Sequence, residues 1–169
     1  MMVHVRSKIR HAVKNALLNK TVAGERVYNN RFIRVKNLPA IMLYTKSEGA
    51  ILANESPKRL KRKLELVIEI VIAGNYQDHQ FDDKVDAFVL QIENCLNQDV
   101  SLQGLVSDIT LEHTDTSNDE SNEIPVMIVV LNYGVTYYTD EVFVKEFETL
   151  SEINFSINKQ MDGIVNLEG

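Results

Sequence analysis

Between residues 60 and 72 the even-numbered positions read Leu60, Arg62, Leu64, Leu66, Ile68, Ile70 and Ile72. Side chains alternate across a β-strand with period two, so all but one of these set an aliphatic group on the same face of one long strand. The odd-numbered positions carry Lys61, Lys63, Glu65, Val67, Glu69 and Val71, running from cationic to anionic to partly apolar. A strand of this kind has to lie in a sheet with its even face on a core. The cluster Arg59-Leu60-Lys61-Arg62-Lys63 that opens the run is therefore read chiefly as the outer face and solvent end of that strand. Arg62 is the even-numbered exception.

The remaining elements follow from periodicity. Val5, Ile9, Ala12, Val13, Ala16 and Leu17 recur at helical spacing and predict an amphipathic helix over residues 5–18. Residues 19–26 read as a loop. Val27-Tyr28 and Phe32-Ile33 read as short strand pieces around the turn pair Asn29-Asn30. Pro39 opens a strand over residues 40–45; Ser47-Glu48-Gly49 is expected to turn the chain, with residues 50–52 continuing it. After Gly74-Asn75, Phe81, Val85, Phe88, Val89, Ile92 and Leu96 predict a second amphipathic helix, with Asp82 and Asp83 in the turn where the helix dipole favours negative charge. Alternation predicts two further strands, from about Leu105 to Glu112 and from Val126 to Tyr137. The polar stretch HTDTSNDESNE between them, residues 113–123, reads as a long hairpin loop. The expected fold class is α+β: a mostly antiparallel mixed sheet packed against two helices, with a long hairpin loop and a C-terminal appendage. Residues 1–139 form the expected single domain. Residues 140–169 are the appendage, docking on its own or a neighbouring subunit.

Charge is distributed unevenly along the chain. Residues 1–63 carry 15 Lys and Arg against three acids, a balance of +12, while residues 64–169 carry −18, giving the chain its net −6. Such asymmetry suits either a polyanion-binding face or a subunit whose basic side meets the acidic side of a neighbour. No apolar run approaches the ~20 residues of a membrane span, and the N-terminal stretch is interrupted by Arg6, Lys8, Arg10 and Lys14. The single cysteine, Cys95, has no internal disulfide partner, which fits a reducing, cytoplasmic setting.

No chemistry-bearing motif survives inspection. Asp78, His79, Asp82, Asp83 and Asp86 cluster at the start of the second helix, where acids serve a helix N-terminus and a solvated surface without any metal. The run Asp115-Thr-Ser-Asn-Asp119 lacks the glycine and the terminal glutamate of a calcium loop, having Glu120 and Val126 at those places. Cys95 falls beside an apolar helical stripe, and His4, His11, His79 and His113 have no recognisable nucleophile pairing. Phosphate-cradling glycine motifs are missing. An enzyme is therefore not expected, nor a cofactor or metal. Arg6, Lys8, Arg10, Lys14 and residues 58–63 could neutralise phosphates, so a nucleic-acid-binding module is an alternative. The acidic balance and the lack of zinc-finger, aromatic RNA-binding or helix-turn-helix patterns weigh against nucleic acid as a partner.

Four stretches in order, VRSKIRHAVKNALL with AGERVYNNRF, LPAIMLYTKSEGA, KRKLELVIEIVIAGN with FDDKVDAFVLQIENCL, and LVSDITLEHTDTS with IPVMIVVLNYGVTYYT, resemble the phage tail terminator proteins, the minor tail protein U type of long-tailed phages. The resemblance spans residues 5–139 and lies in order and spacing. It implies a structural virion protein at the head-proximal end of the tail, present in the host cytoplasm during assembly. Its expected partners are copies of itself in a hexameric ring, the tail tube protein, and a head-completion or connector protein, with no membrane. A head-completion or neck protein of the same virion is the nearest alternative. The candidate interface residues are the basic set Arg59, Lys61, Arg62 and Lys63, meeting an acidic neighbour, and the acidic loop set Asp115, Asp119 and Glu120, meeting an adjoining ring or subunit.

Overall fold

The computed structural model describes residues 3–32, 34–75, 77–120 and 124–140. Its elements are α1 (Val5–Leu17), β1 (Val27–Tyr28), β2 (Ala40–Glu55), β3 (Lys58–Ala73), α2 (Phe81–Asn97), β4 (Asp108–Asp119) and β5 (Val126–Asp140). The five strands make one open sheet in the order β1-β2-β3-β5-β4. Only the short β1–β2 pair is parallel; the other three pairs are antiparallel. The α+β class and the mixed, mostly antiparallel sheet match the sequence reading.

The alternation in β3 decides which face is covered. Leu64, Leu66, Ile68 and Ile70 are fully buried and sit opposite Val135, Tyr133, Leu131 and Val129 of β5. Ile41 and Leu43 of β2 continue the same inner face. Ile9, Val13 and Leu17 of α1 close over it, together with Val85, Phe88, Ile92 and Leu96 of α2. Each such side chain contributes about 1.5–3 kcal/mol of burial free energy, so this inner layer dominates stability. Both helices begin as the sequence suggests. The His4 imidazole caps α1 by accepting from the Arg6 backbone N–H at 3.1 Å, and Asp82 and Asp83 lie in the first turn of α2.

Local composition and observed structure part at several points. Ser47-Glu48-Gly49 does not turn the chain. A β-bulge between Thr45 and Glu48 lets β2 run on to Glu55, because β3 supplies backbone partners along the whole length. Residues 113–119 are not a loop either: they are strand, paired with residues 126–132 of β5, although residues 112–118 are all exposed. Backbone pairing with the apolar half of β5 holds them extended without burial of their own. The hairpin thus has long arms and a short connection. Leu105 lies in a turn and Val106 in the irregular stretch after it, and strand pairing begins at Asp108. Phe32 is an exposed turn residue instead of a strand piece; Ile33 and the appendage after Asp140 lie outside the described residues.

Candidate interaction surface

The bulge in β2 has a chemical consequence. Before it, Ile41 and Leu43 face inward; after it, Glu48, Ala50 and Leu52 do. The parity switch turns the Glu48 side chain, 10% exposed, towards Arg62 of β3. Arg62 Nη1 lies 3.4 Å from Glu48 Oε1, its Nε–H donates to Thr139 Oγ1 at 2.8 Å, and Arg6 of α1 approaches Glu48 Oε2 at 3.5 Å. Tyr137 O–H donates to the same Glu48 carboxylate. Burial, and then this hydrogen bond, push the Tyr137 phenol well above its ordinary value, so it stays a donor at any physiological pH. Carboxylate, guanidinium and phenol satisfy one another, tying α1, β2, β3 and β5 together where the apolar core ends. The even-position exception in the sequence therefore has an internal partner. Neither Glu48 nor Tyr137 was singled out from sequence; the lone cation on an apolar face was the available signal.

The other nominated residues lie elsewhere. Arg59, Lys61 and Lys63 project from the outer sheet face, opposite Asp140, Tyr138 and Thr136 of β5. Arg59 pairs with Asp140 at 3.4 Å and stacks its guanidinium 4.8 Å from the Tyr138 ring centroid. Lys63 reaches over β5 to Glu112 of β4 at 2.7 Å. Gly134 makes that crossing possible: a Cβ there would collide with the Glu112 carboxyl group. Lys61 makes no ion pair among the described residues, and with Lys63, Asp108, Thr110, Glu112 and Thr136 it lines a hollow of about 650 Å³ on the outer face. Asp115 and Asp119 also project outward, from β4 and not from a loop, with Glu120 just beyond the strand. Asp115 accepts from, or pairs with, His113 Nε2 at 2.9 Å. Along β5, the partners of Lys61 and Asp119 are Tyr138 and Val126. At ~3.3 Å per residue this puts Lys61 and Asp119 about 40 Å apart along the strands, and the nearest members of the two sets, Lys63 and Asp115, about 20 Å apart. They are not brought together within the molecule.

The sequence's charge asymmetry becomes a spatial one. Residues 46–63, the far half of β2 and the start of β3, hold six Lys and Arg against Glu48 and Glu55. Strand β4, the opposite edge, holds Asp108, Glu112, Asp115 and Asp119 with no Lys or Arg. The basic half also projects beyond the helix layer as a hairpin arm on which Ile51 is 65% and Leu52 49% exposed. Asn54 Nδ2–H donates to the Ser56 and Pro57 carbonyls at 3.1 Å each and fixes the tip. Among the described residues no three metal-ligating side chains converge, and no helix is long and apolar enough to cross a membrane.

Fold and surface define an open-sheet α+β protein with an acidic edge strand and a cationic cluster at one end of its interior strand β3. No family model matches the chain, and no curated protein matches it. Among solved structures it is similar to a chain from the virion of a native gene transfer agent particle, at 10% identity and a TM-score of 0.40, covering 79% of this chain and 99% of that one. A likeness at that level is too loose to speak to role.

Proposed function

We propose that this chain is a non-catalytic structural subunit of a phage virion, the tail terminator. In this reading copies assemble into a hexameric ring on the head-proximal end of the tail tube, stop its growth and present the surface that joins the head. The observation that carries the reading is the charge division of the sheet, with a cationic cluster at the start of the interior strand β3 and an acidic edge strand β4 that has no Lys or Arg. Complementary ends on one subunit suit oriented, repeated contact with identical neighbours and orient the ring towards unlike partners above and below. The order of elements, which resembles that of the tail terminators, supports the same role. A neck or head-completion protein would share the ring and differ only in its partner.

The test is deletion of the coding sequence from the phage that carries it, with electron microscopy of the lysate. Tubes of uncontrolled length without heads are the expected result. Tails of normal length lacking heads would move the role to the neck, and normal virions would overturn both readings. Filter binding to duplex DNA at stepped salt separates the remaining alternative, since a nucleic-acid module loses affinity steeply as salt rises.

A further inference from the structure

The second half of β2 is an open edge. Strand β1 covers β2 only at Ile41 and Met42, and the Arg31 guanidinium donates to the Thr45 carbonyl at 2.5 Å; from residue 46 to 55 β2 has no strand on its outer side among the described residues. In an antiparallel pair alternate residues bond to the partner, so those between them turn N–H and C=O away from β3. Gly49 stands in the middle of this stretch, and nothing inside the described chain asks for a glycine there. Its φ is outside the left-handed region, and a Cβ added to it would meet no described atom within 4 Å. Gly134 differs, since the Glu112 carboxyl group crosses it. A glycine weakens a strand and marks a place where another segment comes close. Gly49 and Ile51 face outward, opposite Lys63 and Lys61, and line the hollow on the outer sheet face.

We propose that residues 153–157 of the same chain fill this place as an added edge strand, antiparallel to residues 46–55, with Ile153 beside Ile51 and Phe155 over Gly49. Residues 141–169 lie outside the described residues, and three observations select this segment as the occupant. The first is where β5 delivers the chain. Asp140 pairs with Arg59, whose partner in β2 is Asn54, so only β3 and β2 separate the exit point from the open edge. Reaching a strand beyond β2 crosses three strand spacings, about 14 Å. The connection, residues 141–152, can extend to about 40 Å. The second is direction. Strands β2 and β5 both run towards the tip of the arm, so a segment that leaves at Asp140 and folds back along β2 runs antiparallel to it. The third is pattern. Ile153, Phe155 and Ile157 alternate with Asn154, Ser156 and Asn158, which puts three large apolar side chains on one face of a strand and polar ones on the other. An aromatic ring on the neighbouring strand fills the space that an edge glycine leaves. The tether holds the segment at high effective concentration, ahead of any free competitor. Covered in this way, the arm no longer offers its edge to other chains, and Ile51 loses its exposure. The inference goes beyond the virion reading and does not depend on it.

The experiment is residue-resolved amide hydrogen exchange on the full chain at several protein concentrations. In the wild type the outward amides of residues 46–55 and alternate amides of residues 153–157 are expected to be protected to the same degree at every concentration. Ile153→Asp with Phe155→Asp should speed exchange of those outward amides about tenfold or more. Amides of residues 64–70 should not change, which shows the core intact. Gly49→Val probes the contact from the other side. Its branched side chain takes the space assigned to Phe155, so exchange at residues 153–157 should rise about tenfold although valine is the better strand former. Three results overturn the proposal. Outward amides that exchange like those of an unfolded chain leave the edge bare. Protection that grows with protein concentration gives the edge to a second copy. Protection indifferent to both variants gives it to a different segment of the chain.

Discussion

The two halves of β3 differ more than most pairs of elements do. From Leu64 to Ile70 every even residue is fully buried under the helices; from Lys58 to Lys63 no residue is. One strand therefore serves as the centre of a core and as the spine of an exposed arm, and its backbone pairing with β2 and β5 continues through both. Hydrogen bonding alone does not distinguish the halves. Burial does, and stability should follow burial while association follows the arm.

The division between the halves is tested hardest at Ile68. This side chain is 0% exposed between Leu43 and Leu131. Ile68→Ala removes buried methylenes and leaves a cavity, at a cost of about 2–5 kcal/mol. Urea unfolding followed by circular dichroism should show a large drop in midpoint with little change of slope. A loss under about 1 kcal/mol, below the range for a filled core site, would mean that the helix layer is not packed onto β3 as described.

Next comes the seam between the halves. Glu48→Ala strips the carboxylate from Arg62, Arg6 and Tyr137 and leaves a buried phenol and a half-buried guanidinium short of partners. Unmade bonds of this kind cost about 1–3 kcal/mol. Tyr137→Phe, which removes only the phenol's donor, should cost less than Glu48→Ala. Equal or absent losses in the same urea assay would show the cluster to be wet and independent, and the arm would then be joined to the core by backbone alone.

Much of this division is legible in the amino-acid sequence. Period-two alternation in β3 and 3.6-residue spacing in α1 and α2 are enforced by burial, and burial leaves its mark residue by residue. What escaped is set by partners distant in the chain. Ser47-Glu48-Gly49 has turn composition, and only the pairing of β2 with β3 makes it a bulge. Residues 113–119 have no apolar residue to betray a strand, because their extension is imposed by β5. Arg62 announces that something is unusual on the inner face. Its partner Glu48 cannot be read from sequence, since inward orientation there depends on a parity shift that the bulge itself creates. The charge division is visible as a difference between halves of the chain; that it sets the start of the interior strand β3 against the edge strand β4 of one sheet follows only from the strand order.

A smaller effect sharpens the boundary at Glu65. This carboxylate accepts from Ser47 Oγ–H at 2.8 Å and pairs with Lys46 at 3.2 Å, and these contacts, the hydroxyl first, hold it below its ordinary value of 4.5. A carboxyl depressed in the folded state stabilises the fold above its unfolded value and loses that contribution as pH falls through the lower, folded value. Wild type should therefore lose more stability than Glu65→Gln when urea midpoints are compared from about pH 6 downward through and below the ordinary carboxyl range. Parallel curves would mean that Ser47 and Lys46 do not hold the group in solution.

The smallest effect on folding is expected at Lys61, and that makes it the most informative residue for the arm. Its side chain is exposed, it makes no ion pair among the described residues, and it stands beside Lys63 and Arg59 on the outer face. Removing one cation from such a group relieves repulsion and loses no packing, so Lys61→Ala should leave the urea midpoint within about 0.5 kcal/mol of wild type. If the arm is a contact surface, the same substitution weakens self-association, because the charge serves a neighbour and not its own chain. A clear loss of stability would place Lys61 in the fold and dissolve the division between the halves of β3. An unchanged stability with an unchanged dissociation constant would leave the division intact but move the contact away from this corner of the arm.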